Sequence, residues 1–188
     1  GTSGGGGGAT PQGPTGGAQA PEITLTTMDG KQIGPDELKK GIVVLDFWAT
    51  WADPSLGELQ RLQKAAATLE PLAEQSGTEL LILGVNLEDT MEEVEAFVEQ
   101  TKINVPLARD VDGSAAGALN IMVVPHLVVM HDGKSVVSTP GPVEQLDTEL
   151  PELVKPLLRT DSNDAAPAAP ADAAADTRDS STTPPDME

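Results

Sequence analysis

The residues of this 188-residue chain best placed to do chemistry lie in two short stretches. The first is Phe47-Trp48-Ala49-Thr50-Trp51-Ala52-Asp53-Pro54-Ser55, with Glu58 three residues further on. The second is Val123-Val124-Pro125-His126. Asp53, Ser55 and His126 are the residue types of a hydrolytic triad. No oxyanion-hole signature accompanies them, and Asp53 is expected to cap a helix instead, so serine hydrolysis is not expected. The Ser55 hydroxyl has a pKa far above neutral and no evident base beside it. Thiolate chemistry is closed, because the chain contains no cysteine. His126 and His131 are five apart on a predicted strand and therefore point to opposite faces, which argues against a shared metal. The acidic cluster Glu88-Asp89-Glu92-Glu93-Glu95 lacks the spacing of a calcium loop and starts a helix, where anions are favourable anyway. Neither metal nor cofactor is expected.

These residues need elements to hold them. Ile42-Val43-Val44-Leu45-Asp46-Phe47 is a continuous apolar run of strand length, rich in β-branched residues, and predicts a strand buried on both faces. A helix follows, with Asp53 at its start, Pro54 in its first turn, and Leu56, Leu59, Leu62, Ala66, Leu69 and Leu72 at helical spacing. Pro71 is expected to kink its last turns, and Gly77 to end it. Upstream, Ile23 to Thr26 alternates as a strand and Met28-Asp29-Gly30-Lys31 reads as a hairpin turn. Asp36 to Lys40 is a short turn or helix. Downstream come a second buried strand over Leu80 to Val85, then a helix opened by a Thr90/Glu93 capping box, with Val94, Phe97 and Val98 on one face. Val105 to Leu107 is a short extended segment and Ser114 to Leu119 a brief helix. Strands over Leu127 to Met130 and Lys134 to Val137 meet at His131-Asp132-Gly133. The segment Val143 to Leu158 has helical spacing, with Pro151 and Pro156 expected to kink or split it.

Composition bounds the rest. Residues 1–20 are nearly all Gly, Ala, Thr, Pro and Gln, and residues 161–188 are Ala, Pro, Asp, Ser and Thr with Met187 as the one large apolar side chain. Neither stretch can bury enough surface to offset its ordering entropy, so both are expected to be disordered around one domain over residues 21–160. The formal net charge of -19 argues against nucleic acid and against anionic membrane surfaces as partners. No run of apolar residues is long enough to span a bilayer. The Gly-rich leader reads as a spacer behind a cleaved signal or lipid anchor, or equally, with Gly1-Thr2-Ser3, as a cloning remnant.

The segment from Phe47 to Ser55 resembles the active-site segment of thioredoxin-fold oxidoreductases of the TlpA/ResA type, in which Phe-Trp-Ala-Thr-Trp-Cys-x-x-Cys ends a strand. Ala52 and Ser55 stand where that family has its two cysteines. The resemblance covers Pro21 to Leu158. It implies an α/β thioredoxin fold with an N-terminal β-hairpin and an inserted helix, its central mixed sheet flanked by helices. It also implies an extracytoplasmic or periplasmic protein, with or without a membrane tether, and a protein or peptide partner. Trp48 and Trp51 match the aromatic positions before the motif. Glu58 matches a carboxylate that handles protons near the thiols. Pro125 matches a cis-proline loop that hydrogen-bonds an extended peptide, and Asp132-Gly133-Lys134 and Gly141 match a later hairpin and turn. The departures are Ala52, Ser55, Gln60 where proline is common, and His126 where threonine is common.

In the family the first cysteine is activated at a helix N-terminus and the second resolves the mixed disulfide, and both tasks need sulfur. Two readings of the missing cysteines stay open. Either Ala52 and Ser55 replace the sulfurs of a Cys-Asp-Pro-Cys reductase, or the chain is a non-catalytic module that binds an extended peptide or protein partner. Both place the binding groove at Trp51, Asp53, Val124, Pro125 and His126, with Glu58 expected to be buried beneath it. Trp48 and Trp51 have a second reading as core packing.

Overall fold

The computed structural model describes residues 22–160. The leader and tail expected to be disordered lie outside that range. Seven strands form one mixed sheet, in the order β2-β1-β5-β4-β3-β6-β7. Within its interior, fifth in that order, is β3 (Ile42–Trp48), all seven residues of which are buried. β3 runs parallel to β4 (Leu80–Leu87) and antiparallel to β6 (His126–His131). β5 (Leu107–Asp110) runs parallel to β4 and accepts β1 (Leu25–Thr27) antiparallel on its other edge. β2 (Gln32–Ile33) closes the hairpin with β1. β7 (Lys134–Pro140) pairs antiparallel with β6.

Strand periodicity divides the core in two. Ile42, Val44 and Trp48 of β3 pack towards α2 (Pro54–Ser76), α3 (Met91–Thr101) and α5 (Leu146–Thr160). Val43, Leu45 and Phe47 pack towards the other face, with Leu38 of α1 (Pro35–Leu38) and Ala115 of α4 (Ser114–Ala118). The capping box forms as its sequence predicts. Thr90 Oγ1 accepts from the Glu93 amide at 3.3 Å, and the Thr90 amide donates to Glu93 Oε2 at 2.7 Å. The β6–β7 turn places Asp132 and Gly133 at φ 47° and 72°, the left-handed pair of a tight hairpin.

Several expectations need correction. Of the two outcomes expected for Pro151 and Pro156, splitting does not occur: α5 runs unbroken through both, as α2 does through Pro71. In α5 the buried stripe Leu146, Leu150, Val154 and Leu158, at i, i+4 spacing, packs into the core with α2, and that burial outweighs the lost backbone hydrogen bonds. The helix also begins at Leu146 rather than Val143. Val105 and Pro106 precede a true strand instead of forming one. The insertion after β4 is therefore a helix plus a strand, because β5 completes ladders to both β4 and β1.

Gly41 precedes β3 at φ 55°, and a Cβ there would lie 2.2 Å from the Glu79 carbonyl oxygen. Gly113 has a similar φ of 69°, with nothing within 4 Å of the place a Cβ would take. Gly113→Ala should therefore cost only the left-handed penalty, about 1 kcal/mol, whereas Gly41→Ala should cost clearly more because backbone must move. Urea denaturation of the two variants checks this ordering, and equal midpoints would contradict it.

Candidate functional site

The C-terminal end of β3 delivers a loop and then the start of α2. Trp48 and Trp51 resolve into different roles. Trp48 is fully buried, its ring 4.9 Å from that of Phe97 in a tilted arrangement. That is the core-packing reading, and α3 supplies the partner. Trp51, three residues on, is 63% exposed. An indole left in water at a strand-to-helix junction is apolar surface available to a partner.

The loop between them is tied down from the side. Asp89 accepts from the Thr50 amide at 2.7 Å, from Thr50 Oγ1 at 2.8 Å and from Asn86 Nδ2 at 2.7 Å. Arg109 Nη2 donates to the Asp89 carbonyl oxygen at 2.8 Å. Asp89 is thus committed to positioning the loop, which is a different task from the cation binding weighed for its acidic cluster. Ala52 and Ser55 are buried. The Ala49 amide donates to Ser55 Oγ at 3.4 Å, and the Ser55 amide to the Ala52 carbonyl oxygen at 2.9 Å. Asp53 does not cap α2 with its side chain, contrary to expectation. Its backbone is already helical (φ -46°, ψ -42°), whereas a capping side chain needs extended backbone to reach the N2 or N3 amide. Its carboxylate stays exposed at the helix start.

Beneath this entrance two carboxylic acids are buried. Glu58 is fully buried, as its place one turn beyond Ser55 predicts. Its Oε2 accepts from the Val143 amide at 2.9 Å, while Oε1 has no hydrogen-bond partner among the described residues. Burial raises its pKa from 4.5 to about 7, against opposing effects of the Val143 hydrogen bond and Arg61. Asp46 is also fully buried, and neither carboxylate oxygen has a partner among the described residues. Burial first, then the Glu58 charge, pushes its pKa well above the ordinary value. Asp46 lies between Val44 and Trp48 in β3, so alternation turns it to the α2 side, the side on which Glu58 sits. Sequence reasoning missed Asp46 as a functional residue. The available signal was one acid inside an otherwise apolar strand predicted to be buried on both faces.

The second stretch meets the first across the sheet. His126 pairs with Phe47 in the β3–β6 register, so the loop before β6 and the loop after β3 leave the same end of adjacent strands. The Val124–Pro125 peptide bond is cis. Pro125 is buried and Val124 half-buried. His126, expected on the surface, is not there. It is only 5% exposed, its Nε2 lies 2.8 Å from Ser138 Oγ, and burial lowers its pKa. The ladder position opposite Phe47 turns it into the sheet's other layer, away from Asp46. The apolar surface near Pro125 comes instead from Met122 and Val123, 86% and 51% exposed, which sequence reasoning did not single out. The arrangement offers exposed apolar side chains at the rim, a helix start, and two proton-holding acids below. It contains no nucleophilic sulfur, so the chain does not exchange disulfides.

The family described as AhpC/TSA matches residues 17–139. The thiol-disulfide oxidoreductase ResA of Bacillus thuringiensis subsp. konkukian is 29% identical over 140 residues, covering 74% of this chain and 76% of that protein. The thioredoxin-like protein YneN of Bacillus subtilis is 29% identical over 124 residues, 64% of this chain and 68% of that one. Among solved structures, a secreted thiol-disulfide isomerase from Corynebacterium glutamicum superposes with a TM-score of 0.63 at 21% identity, covering 76% of this chain and 86% of that one.

The buried acids set a pH dependence. Folded Glu58 keeps its proton to about pH 7, whereas in the unfolded chain it loses it near 4.5, so folding takes up a proton between those values. The stability this proton supplies is full below the unfolded value and is lost as pH rises through about 7. Glu58→Gln should flatten that decline, gaining stability over the parent at pH 8 relative to pH 4 by up to roughly 3 kcal/mol. Urea denaturation at the two pH values measures it, and a variant that tracks its parent at both would show the carboxylate to be solvated.

Proposed function

The chain belongs to the AhpC/TSA family, and from that premise we propose that it is an extracytoplasmic thiol-disulfide oxidoreductase domain in which Ala52 and Ser55 occupy the two sulfur positions of a Cys-Asp-Pro-Cys motif. One observation carries this reading: Asp46 and Glu58 are buried, incompletely hydrogen-bonded and placed on the α2 side of the sheet, below Ser55. Burying a carboxyl group without full hydrogen bonding costs stability, whether the group is kept neutral or ionised. Two such groups give nothing back in a domain that only binds. They give something back beside a dithiol, where a resolving thiol must lose a proton and a leaving thiolate must gain one. A group titrating near 7, as Glu58 does, is suited to both directions.

As it stands the domain retains binding without exchange. Trp51 and Asp53 on one loop, and Met122, Val123 and Val124 on the other, form the face for an extended peptide, with backbone pairing along the loop at Pro125. His126, buried against Ser138, lies outside that face. Acid-poor partners are favoured, because like charges across an interface are costly and the chain carries a net charge of -19. Placement outside the cytoplasm is supported by the secreted character of the Corynebacterium protein. Among the described residues no helix is long and apolar enough to cross a membrane, so any tether lies elsewhere.

The parent chain should reduce insulin no faster than buffer with dithiothreitol. The double variant Ala52→Cys, Ser55→Cys should reduce it, with the thiol at position 52 titrating below the free value of about 8.5. A folded double variant whose thiols titrate as free cysteine and which lacks reductase activity would overturn this reading and leave the non-catalytic binding module in its place.

A further inference from the structure

A trough of about 620 Å³ lies between the β1–β2 turn, α3 and the segment that leads into β5. It is separate from the site above and does not rest on that reading. The site loops leave the C-terminal ends of β3 and β4, whereas the trough opens at Leu107, the first residue of β5, and along α3 from Glu95 to Glu99. Its floor is apolar: Met28, Val98, Ile103, Val105 and Leu107. Its rim is acidic: Asp29 from the turn, and Glu95 and Glu99 one helical turn apart on α3. No lysine or arginine lines it. Lys31 lies close enough to Asp29 to affect its titration, yet the Thr27 hydroxyl is the larger cause of a pKa held below the ordinary value, so Asp29 stays ionised. Glu95 and Glu99 form no ion pair with any described residue, although like charges at i, i+4 repel.

We propose that this trough binds a cationic amphiphile, an alkyl chain bearing one ammonium or quaternary ammonium head. The chain covers the apolar floor and the head is drawn by the acidic rim of Asp29, Glu95 and Glu99. The volume falls within the range of small-molecule sites. A peptide fits the trough less well. Both edges of β1 are already paired, to β2 and to β5, and the single Thr27 hydroxyl proton is already shared between Asp29 and the Lys31 carbonyl oxygen. Peptide amides laid over this floor would be desolvated without partners. An alkyl chain has none to satisfy.

The test titrates the full chain with dodecyltrimethylammonium below its micelle concentration, read by NMR and calorimetry. Saturable one-site binding is expected, with shifts centred on Val98, Ile103 and Leu107. Dodecyl sulfate, which has the chain but the wrong charge, and tetramethylammonium, which has the head but no chain, should not bind there. Glu95→Gln with Glu99→Gln should weaken binding about tenfold. The control pair Glu74→Gln with Glu79→Gln, which removes the same charge elsewhere, should leave it unchanged. Val98→Gln, with folding checked by thermal melting, should weaken it while keeping every rim charge. Equal loss in both double variants, many weak sites, or shifts away from α3 would overturn the proposal. So would a Lys/Leu peptide binding the same trough more tightly than the amphiphile.

Discussion

Everything in this fold is arranged around a strand that has no wet side. β3 is paired on both edges and covered on both faces, and each of its seven residues is buried. A strand so enclosed must be apolar almost throughout, which Ile42 to Leu45 and Phe47 to Trp48 satisfy. It also fixes, rigidly, whatever leaves its end. The loop carrying Trp51, the start of α2 and the partner loop before β6 inherit their positions from this one rod, so the site is built on the least deformable part of the sheet.

Asp46 is the exception inside that rod. Burial is the first cause of its raised pKa, and the charge of Glu58 raises it further. Of the four carboxylate oxygens of Asp46 and Glu58, only one has a hydrogen-bond partner among the described residues, the Val143 amide. A domain evolved for stability alone would place an aliphatic residue at each position.

Local patterns in the chain are readable where a few adjacent residues decide the outcome. The Thr90/Glu93 capping box, the Asp132-Gly133 turn and the run that becomes β3 are of this kind. Outcomes decided by distant partners are not. Leu107 to Asp110 ends in two charged residues and has weak strand character by itself; it is a strand because β4 and β1 supply ladders on either side. Pro151 and Pro156 lie within one helix because a stripe of i, i+4 leucine and valine packs into the core with α2. Nearness to Pro125 puts His126 on the rim in a reading of the sequence, but its facing is set by pairing with Phe47. The apolar run around Asp46 hides it, although a lone acid in such a run is itself the anomaly.

The lack of sulfur at the start of α2 changes the time course of any encounter. A dithiol enzyme is held to its substrate by a covalent mixed disulfide, and release waits on attack by the second thiol. Here nothing covalent can form. In the proposed binding mode, the lifetime of a complex is the reciprocal of a dissociation rate, to which the exposed side chains of Trp51, Met122 and Val123 would contribute. That rate would respond to temperature and salt, and no thiol of this chain takes part in it. No thiol–disulfide equilibrium within this chain therefore enters either its binding or its folding, in an oxidising compartment or in a reducing one.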